Sequence, residues 1–138
     1  MKFYIASKYI ENHLINTKIY NALIDKGYEV FLPKSINIDA KTVDEMNEVA
    51  EKCYDEIDSS DVLLVVFPFG WSVLAEIGYA ISIKRKKGNM RIILYNNNSD
   101  EENKKKLLKE AMLTPYWDMI EPSICLYVSS IEELMKYF

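Results

Sequence analysis

The stretch Ser59-Ser60-Asp61-Val62-Leu63-Leu64-Val65-Val66-Phe67-Pro68-Phe69-Gly70-Trp71-Ser72-Val73-Leu74-Ala75-Glu76-Ile77-Gly78-Tyr79-Ala80-Ile81 decides how the chain folds. Asp61–Phe67 is an almost unbroken apolar run, which suits a central parallel strand covered on both faces. Pro68 and Gly70 mark a turn. From Ser72 the pattern becomes that of a helix, apolar almost all round, reaching Lys87. Within it one carboxylate, Glu76, stands in the first turns with no cation spaced to pair with it. A charge in such surroundings costs free energy unless something needs it, so Glu76 is where chemistry is expected.

Outward from this unit the apolar period keeps switching between strand and helix. Lys2–Ala6 reads as a strand. Ile10–Lys26 reads as a helix with a stripe of Ile10, Leu14, Ile15, Ile19, Leu23 and Ile24, closed by Gly27. Tyr28–Leu32 is a strand stopped by Pro33, and Lys34–Ala40 is a loop. Lys41–Ile57 is a charged amphipathic helix with Val43, Met46, Val49, Ala50 and Cys53 on one side. Met90–Tyr95, Asp100–Met112, Ile124–Val128 and Ser130–Phe138 continue the alternation as strand, helix, strand and short helix. Strict β-α alternation predicts right-handed crossovers and helices on both faces of the sheet. The fold class is α/β, a flavodoxin-like or Rossmann-like three-layer sandwich with a five-stranded parallel sheet. With 138 residues, 49% of them hydrophobic, the chain is expected to form a single domain spanning residues 1–138.

A net charge of -4 gives no basic footprint for a nucleic acid. No apolar run approaches the length of a membrane span, and the N-terminal run is too short for a signal peptide. A cytoplasmic protein with no membrane partner is therefore expected. Cys53 and Cys125 have no metal-ligand spacing and read as reduced core thiols. His13 reads as a surface residue, so no metal and no cofactor is expected. There is no G-x-G-x-x-G after the first strand, no P-loop and no G-x-S-x-G elbow, which disfavours dinucleotide, NTPase and serine-hydrolase readings.

In a parallel sheet the ligand sits outside the carboxyl ends of the strands. That draws attention to the loops after Ala6, Leu32, Phe67 and Tyr95. Ser72 is a natural N-cap four residues before Glu76, on the same helix face. Gly78 in mid-helix implies close backbone packing. A helix N-terminus favours an ionised carboxylate, and an ionised, partly desolvated Glu can attack an anomeric carbon to form a glycosyl-enzyme. A second acid would protonate the departing base. Asp55, Asp58 and Asp61 are the candidates; Asp55 is preferred, because Asp61 reads as a strand-entry residue and Asp58 as a helix C-terminal one.

These residues resemble the nucleoside 2-deoxyribosyltransferase family, including its 2′-deoxynucleoside 5′-phosphate N-hydrolase relatives. Phe3-Tyr4-Ile5-Ala6-Ser7, the segment Asp55 to Asp61 leading into Val62–Phe67, and Gly70-x-Ser72-x-x-x-Glu76-Ile77-Gly78-Tyr79-Ala80 carry the likeness. The resemblance implies that Glu76 is the nucleophile, that Tyr4 positions it, and that Gly70 and Ser72 contact sugar or phosphate. Ala6, Ser7, Phe69 and Trp71 join them as expected substrate-binding residues, the two aromatics either stacking on a base or serving as packing. It also implies a small nucleoside or nucleotide substrate and a homo-oligomer. The chain departs from the family pattern in three places. Cys53 stands where the family carries an acid, the aspartate-rich turn before the Glu is replaced by Phe67-Pro68-Phe69-Gly70-Trp71, and the glycine after the first strand is missing.

Two other readings stand beside this one. Trp71-Ser72-x-x-x-Glu76 is similar to a region of TIR-like domains, which implies cleavage of NAD. A non-catalytic nucleotide-sensing module would use Glu76 to bind sugar hydroxyls. Lys84-Arg85-Lys86-Lys87 reads as a helix C-terminus complementing the dipole, and Lys104-Lys105-Lys106 as a solvated face.

Overall fold

The computed structural model describes residues 1–33, 40–96 and 119–138. Its elements in chain order are β1 (Lys2–Ala6), α1 (His13–Asp25), β2 (Glu29–Phe31), α2 (Val43–Asp58), β3 (Val62–Val66), α3 (Trp71–Lys87), β4 (Arg91–Tyr95), β5 (Leu126–Val128) and α4 (Ile131–Lys136). The strands form one sheet in the order β2-β1-β3-β4-β5, and every adjacent pair is parallel. This is the flavodoxin-like order, with its reversal between β1 and β3. The expected helix over Asp100–Met112, the Lys104-Lys105-Lys106 face and most of the Lys34–Ala40 loop lie outside the described residues.

Side-chain alternation divides the core into two layers. Tyr4 and Ala6 of β1 pair in register with Leu63 and Val65 of β3. These four pack with Ile57 of α2 and with Val73, Ile77, Ala80 and Ile83 of α3. The alternate residues Phe3, Ile5, Val62, Leu64 and Val66 pack on the other face with Ile19 and Leu23 of α1 and Leu134 of α4. Every residue of β3 is buried, as its unbroken apolar run requires. Tyr4 is thereby committed to the α2/α3 side.

The ends of the helices depart from expectation in ways that have local causes. Helix α1 begins at His13, and Ile10 and Leu14 are 82% and 75% exposed. Its buried positions include Asn16, Ile19 and Leu23, and Asn12 just before it is also buried. Ile15, Ile19 and Leu23 of the expected stripe do face the core, whereas Ile10, Leu14 and Ile24 do not, because Asn12 and Asn16 hold the interior positions at the start of the helix. Helix α2 starts two residues late, at Val43, where Thr42 and Glu45 form a reciprocal capping box. Its first turn points outward, with Val43 and Met46 exposed.

Ser72 is not the N-cap of α3. Gly70 is, in extended conformation, and Ser72 falls inside the first turn. A Cβ at position 70 would sit 3.2 Å from Lys8 Cε, so the Lys8 side chain lies over the start of α3 and would have to give slightly to admit one. Gly78, by contrast, has open space where a Cβ would be, which removes the close-packing reading. Gly88 closes α3 with a left-handed φ of 74° after four basic residues in the last turn. Among the described residues no helix is long and apolar enough to cross a membrane.

Candidate active site

The strand order reverses between β1 and β3, and it is at the carboxyl ends of such strands, between the β1–α1 loop and the β3–α3 turn, that a parallel sheet offers its ligand crevice. Asn12 ties the two segments together. Its buried amide donates to Ser7 Oγ at 2.9 Å and to the Pro68 carbonyl at 2.9 Å, with the Val66 carbonyl at 3.5 Å. No periodicity pointed to Asn12. An Asn at a helix start reads as a cap, yet this side chain makes no capping bond and spans the switch point instead.

Glu76 lies in the second turn of α3, beside the buried seam of Val73, Ile77 and Ala80. From β1 the fully buried Tyr4 donates its hydroxyl to Glu76 Oε1 at 2.6 Å. The Tyr4 ring is held by stacking on Phe31 of β2, with centroids 5.4 Å apart. Half-buried Cys53 of α2 packs against the core layer that holds Tyr4 and adds to the influences on its hydroxyl. Two elements with no sequence proximity, β1 and α3, therefore meet at one carboxylate.

Burial pushes Glu76 up to about 7, and the Tyr4 hydrogen bond opposes this without cancelling it. Desolvation is the largest influence on this acid, so it is not fully ionised at neutral pH as its place near the helix N-terminus led one to expect. Burial, with the Glu76 charge adding to it, moves the Tyr4 hydroxyl far above its ordinary value, so it remains a donor. Cys53 is also raised, by burial first and by the charges of Glu76 and Glu56, against the opposing influence of Tyr4. Glu76 is thus the group that changes charge near neutral pH, with one oxygen oriented and, among the described residues, no donor on the other.

The remaining candidates are distributed unevenly. Ser7, Gly70 and Ser72 lie on the loops and helix start that border the crevice. Trp71 is 76% exposed. Phe69 instead packs edge-on against Phe67, 5.9 Å between centroids, at the margin of the core. Ala6 is buried within the α2/α3 core layer rather than facing solvent. The three aspartates are not gathered around Glu76. Asp61 accepts the Lys2 backbone N–H at 2.8 Å, at the amino end of the sheet. Asp58 accepts from the Tyr79 hydroxyl at 2.8 Å and lies 3.7 Å from Lys87. Asp55 is exposed on α2 and acts with Asp58 and Glu51 to raise the Tyr79 hydroxyl. Helices α2 and α3 run in the same direction, so the end of α2 lies beside the end of α3, away from the crevice.

Replacing Tyr4 with Phe removes the bond that opposes desolvation. The Glu76 titration midpoint should then move upward from about 7, and stability should fall by roughly 1–3 kcal/mol. Carboxyl-carbon NMR across pH reads the first effect, and an unmoved midpoint would show that the tyrosine does not tune the acid.

No family model matches the chain, and no curated protein does. Solved structures do. A 2-deoxyribosyltransferase from the psychrotolerant bacterium Bacillus psychrosaccharolyticus superposes with a TM-score of 0.73 at 17% identity, over 100% of this chain and 93% of that one. A conserved protein from Enterococcus faecalis V583 gives 0.58 at 20% identity, over 100% and 99%. The CMP N-glycosidase of Clostridium botulinum gives 0.54 at 16% identity, over 99% and 96%. The chain therefore has, from end to end, the fold of a 2-deoxyribosyltransferase and of a nucleotide N-glycosidase.

Proposed function

We propose that this protein cleaves or transfers the N-glycosidic bond of a nucleoside or nucleotide, with Glu76 as the nucleophile. The observation that carries the reading is the short Tyr4–Glu76 hydrogen bond at the strand-order reversal, with Glu76 poised to ionise near neutral pH. The shared fold supports it, since two of the similar structures are enzymes of this chemistry.

In the reaction, ionised Glu76 attacks the anomeric carbon while the base departs, and a glycosyl-enzyme forms. Water releases the sugar in a hydrolase; a second base accepts it in a transferase. Tyr4 keeps one carboxylate oxygen fixed so that the other is presented to the sugar. A purine or pyrimidine departs with the bonding electron pair and takes up a proton from water at a ring nitrogen, whereas nicotinamide leaves NAD already neutral. NAD therefore belongs in the substrate panel.

The test is chromatography of the purified protein incubated with deoxynucleosides, deoxynucleotides, ribonucleotides and NAD, with and without added free base. Base release or exchange from a member of the panel is expected, and its dependence on the acceptor separates hydrolysis from transfer. Binding of these compounds without release of any base would sink the catalytic reading. For the substrate that turns over, the rate should rise with pH on an acid limb centred near 7, because only the ionised carboxylate attacks. A rate already flat from pH 5 upward would mean that Glu76 is not the titrating nucleophile.

A further inference from the structure

At the other end of α3 a second reactive arrangement is built, away from the crevice. Lys84 Nζ is anchored on the Ser123 carbonyl at 2.7 Å and lies 2.9 Å from Cys125 Sγ. The Cys125 backbone N–H donates to the Ile92 carbonyl at 2.8 Å, which fixes the residue against β4 just before β5 begins. The thiol also lies 3.8 Å from the Ser123 carbonyl, and the Ile92 main-chain amide and the Arg91 charge, both from β4, favour the ionised sulfur. Cys125 is exposed, which overturns the expectation that both thiols belong to the core. Cys53 has the opposite setting, half-buried beside the Tyr4 hydroxyl with the Glu76 and Glu56 carboxylates acting on it.

We infer that Cys125 and Lys84 form a reactive thiolate centre, open to solvent, that is oxidised by hydroperoxides independently of the Glu76 chemistry. An anchored ammonium 2.9 Å from an accessible sulfur is the arrangement that favours thiolate over thiol. These influences hold Cys125 below the ordinary thiol range even though desolvation pulls the other way, while Cys53 is held above it. In the oxidation the Cys125 thiolate attacks the nearer peroxide oxygen. The S–O bond forms as the O–O bond breaks, the sulfur is oxidised to a sulfenic acid and the peroxide is reduced. The departing oxygen takes a proton from the Lys84 ammonium and leaves as water or alcohol. Lys84 serves first as the counter-charge and then as the proton donor.

The test uses the intact protein and its own second thiol as the comparator. Iodoacetamide labelling across pH, read by peptide mass spectrometry, gives each cysteine its own profile. Hydrogen peroxide followed by a dimedone-type trap reports which sulfur becomes sulfenic acid. At pH 7 Cys125 should label at least about tenfold faster than Cys53 and should carry the trapped sulfenic acid. Lys84→Met should slow Cys125 labelling by about tenfold, and Lys84→Arg should recover most of it. The idea fails if Cys125 labels with an ordinary thiol profile that Lys84→Met leaves unchanged. Trapping confined to Cys53, or absent at both positions, would equally overturn it. The wild-type comparison of the two thiols decides the matter even if a Lys84 variant folds poorly.

Discussion

Replacing Glu76 with Gln should abolish turnover, by on the order of 10⁴-fold or more, while making the protein more stable at alkaline pH. The amide keeps the size of the side chain and can still accept the Tyr4 hydrogen bond, but it cannot form the glycosyl ester. The stability effect follows from burial. Glu76 has its midpoint near 7 in the folded protein against 4.5 for an unperturbed carboxyl. Between these values the folded protein holds a proton that the unfolded chain has released, so stability falls as pH rises through this window. Above pH 7 the wild type carries the whole penalty, about 3 kcal/mol, which the amide lacks. Chemical unfolding at pH 8 should show Glu76→Gln as the more stable protein, and at pH 4 the difference should nearly vanish. A loss of activity with no pH-dependent gain in stability would mean that the carboxylate is solvated after all. A variant that keeps even about a tenth of the wild-type rate would remove Glu76 from the nucleophile's role.

Leu64→Ala should be the most damaging of the simple core truncations, lowering stability by about 3–4 kcal/mol. Leu64 is fully buried at the middle of the central strand, flanked by Ile5 on β1 and Ile93 on β4. Its layer is closed from outside by Ile19 and Leu23 of α1 and Leu134 of α4. Strand backbones on either side prevent collapse into the space, so the cavity persists and adds to the lost transfer free energy. Against a total stability of about 5–15 kcal/mol that is a large share. Trp71→Ala, at an exposed position of α3, should change stability by less than about 0.5 kcal/mol. Urea denaturation of both variants checks the contrast, and similar losses in the two would contradict the placement of the core.

The layer architecture was legible because it is a local property. A strand buried on both faces has to be apolar throughout, and Val62–Val66 is. The alternation with helical stripes then leaves few ways to connect a parallel sheet. Helix ends were less legible, since they turn on single hydrogen bonds. Thr42 with Glu45 moved the start of α2, and α3 starts from an extended Gly70 with no side-chain cap, which left Ser72 inside its first turn.

At the candidate site the sequence alone marked Glu76, a lone carboxylate in an apolar helix, and through family resemblance marked Tyr4. It could not say that they touch. They are 72 positions apart, and their 2.6 Å contact exists because register pairs Tyr4 with Leu63 and so turns it toward α3. The same cause explains the distribution of the acids. Sequence spacing put Asp55 within reach of Glu76, but the parallel run of α2 and α3 turns it toward Tyr79. Asn12 and the Lys84–Cys125 pair were invisible for the same reason, since each works through atoms contributed by distant segments. Composition and periodicity determined which faces are buried, because burial is paid residue by residue. Which polar groups meet, and how far a carboxyl is lifted from its ordinary pKa, was decided by tertiary packing, because hydrogen bonds and desolvation depend on distances that only the assembled sheet and helices set.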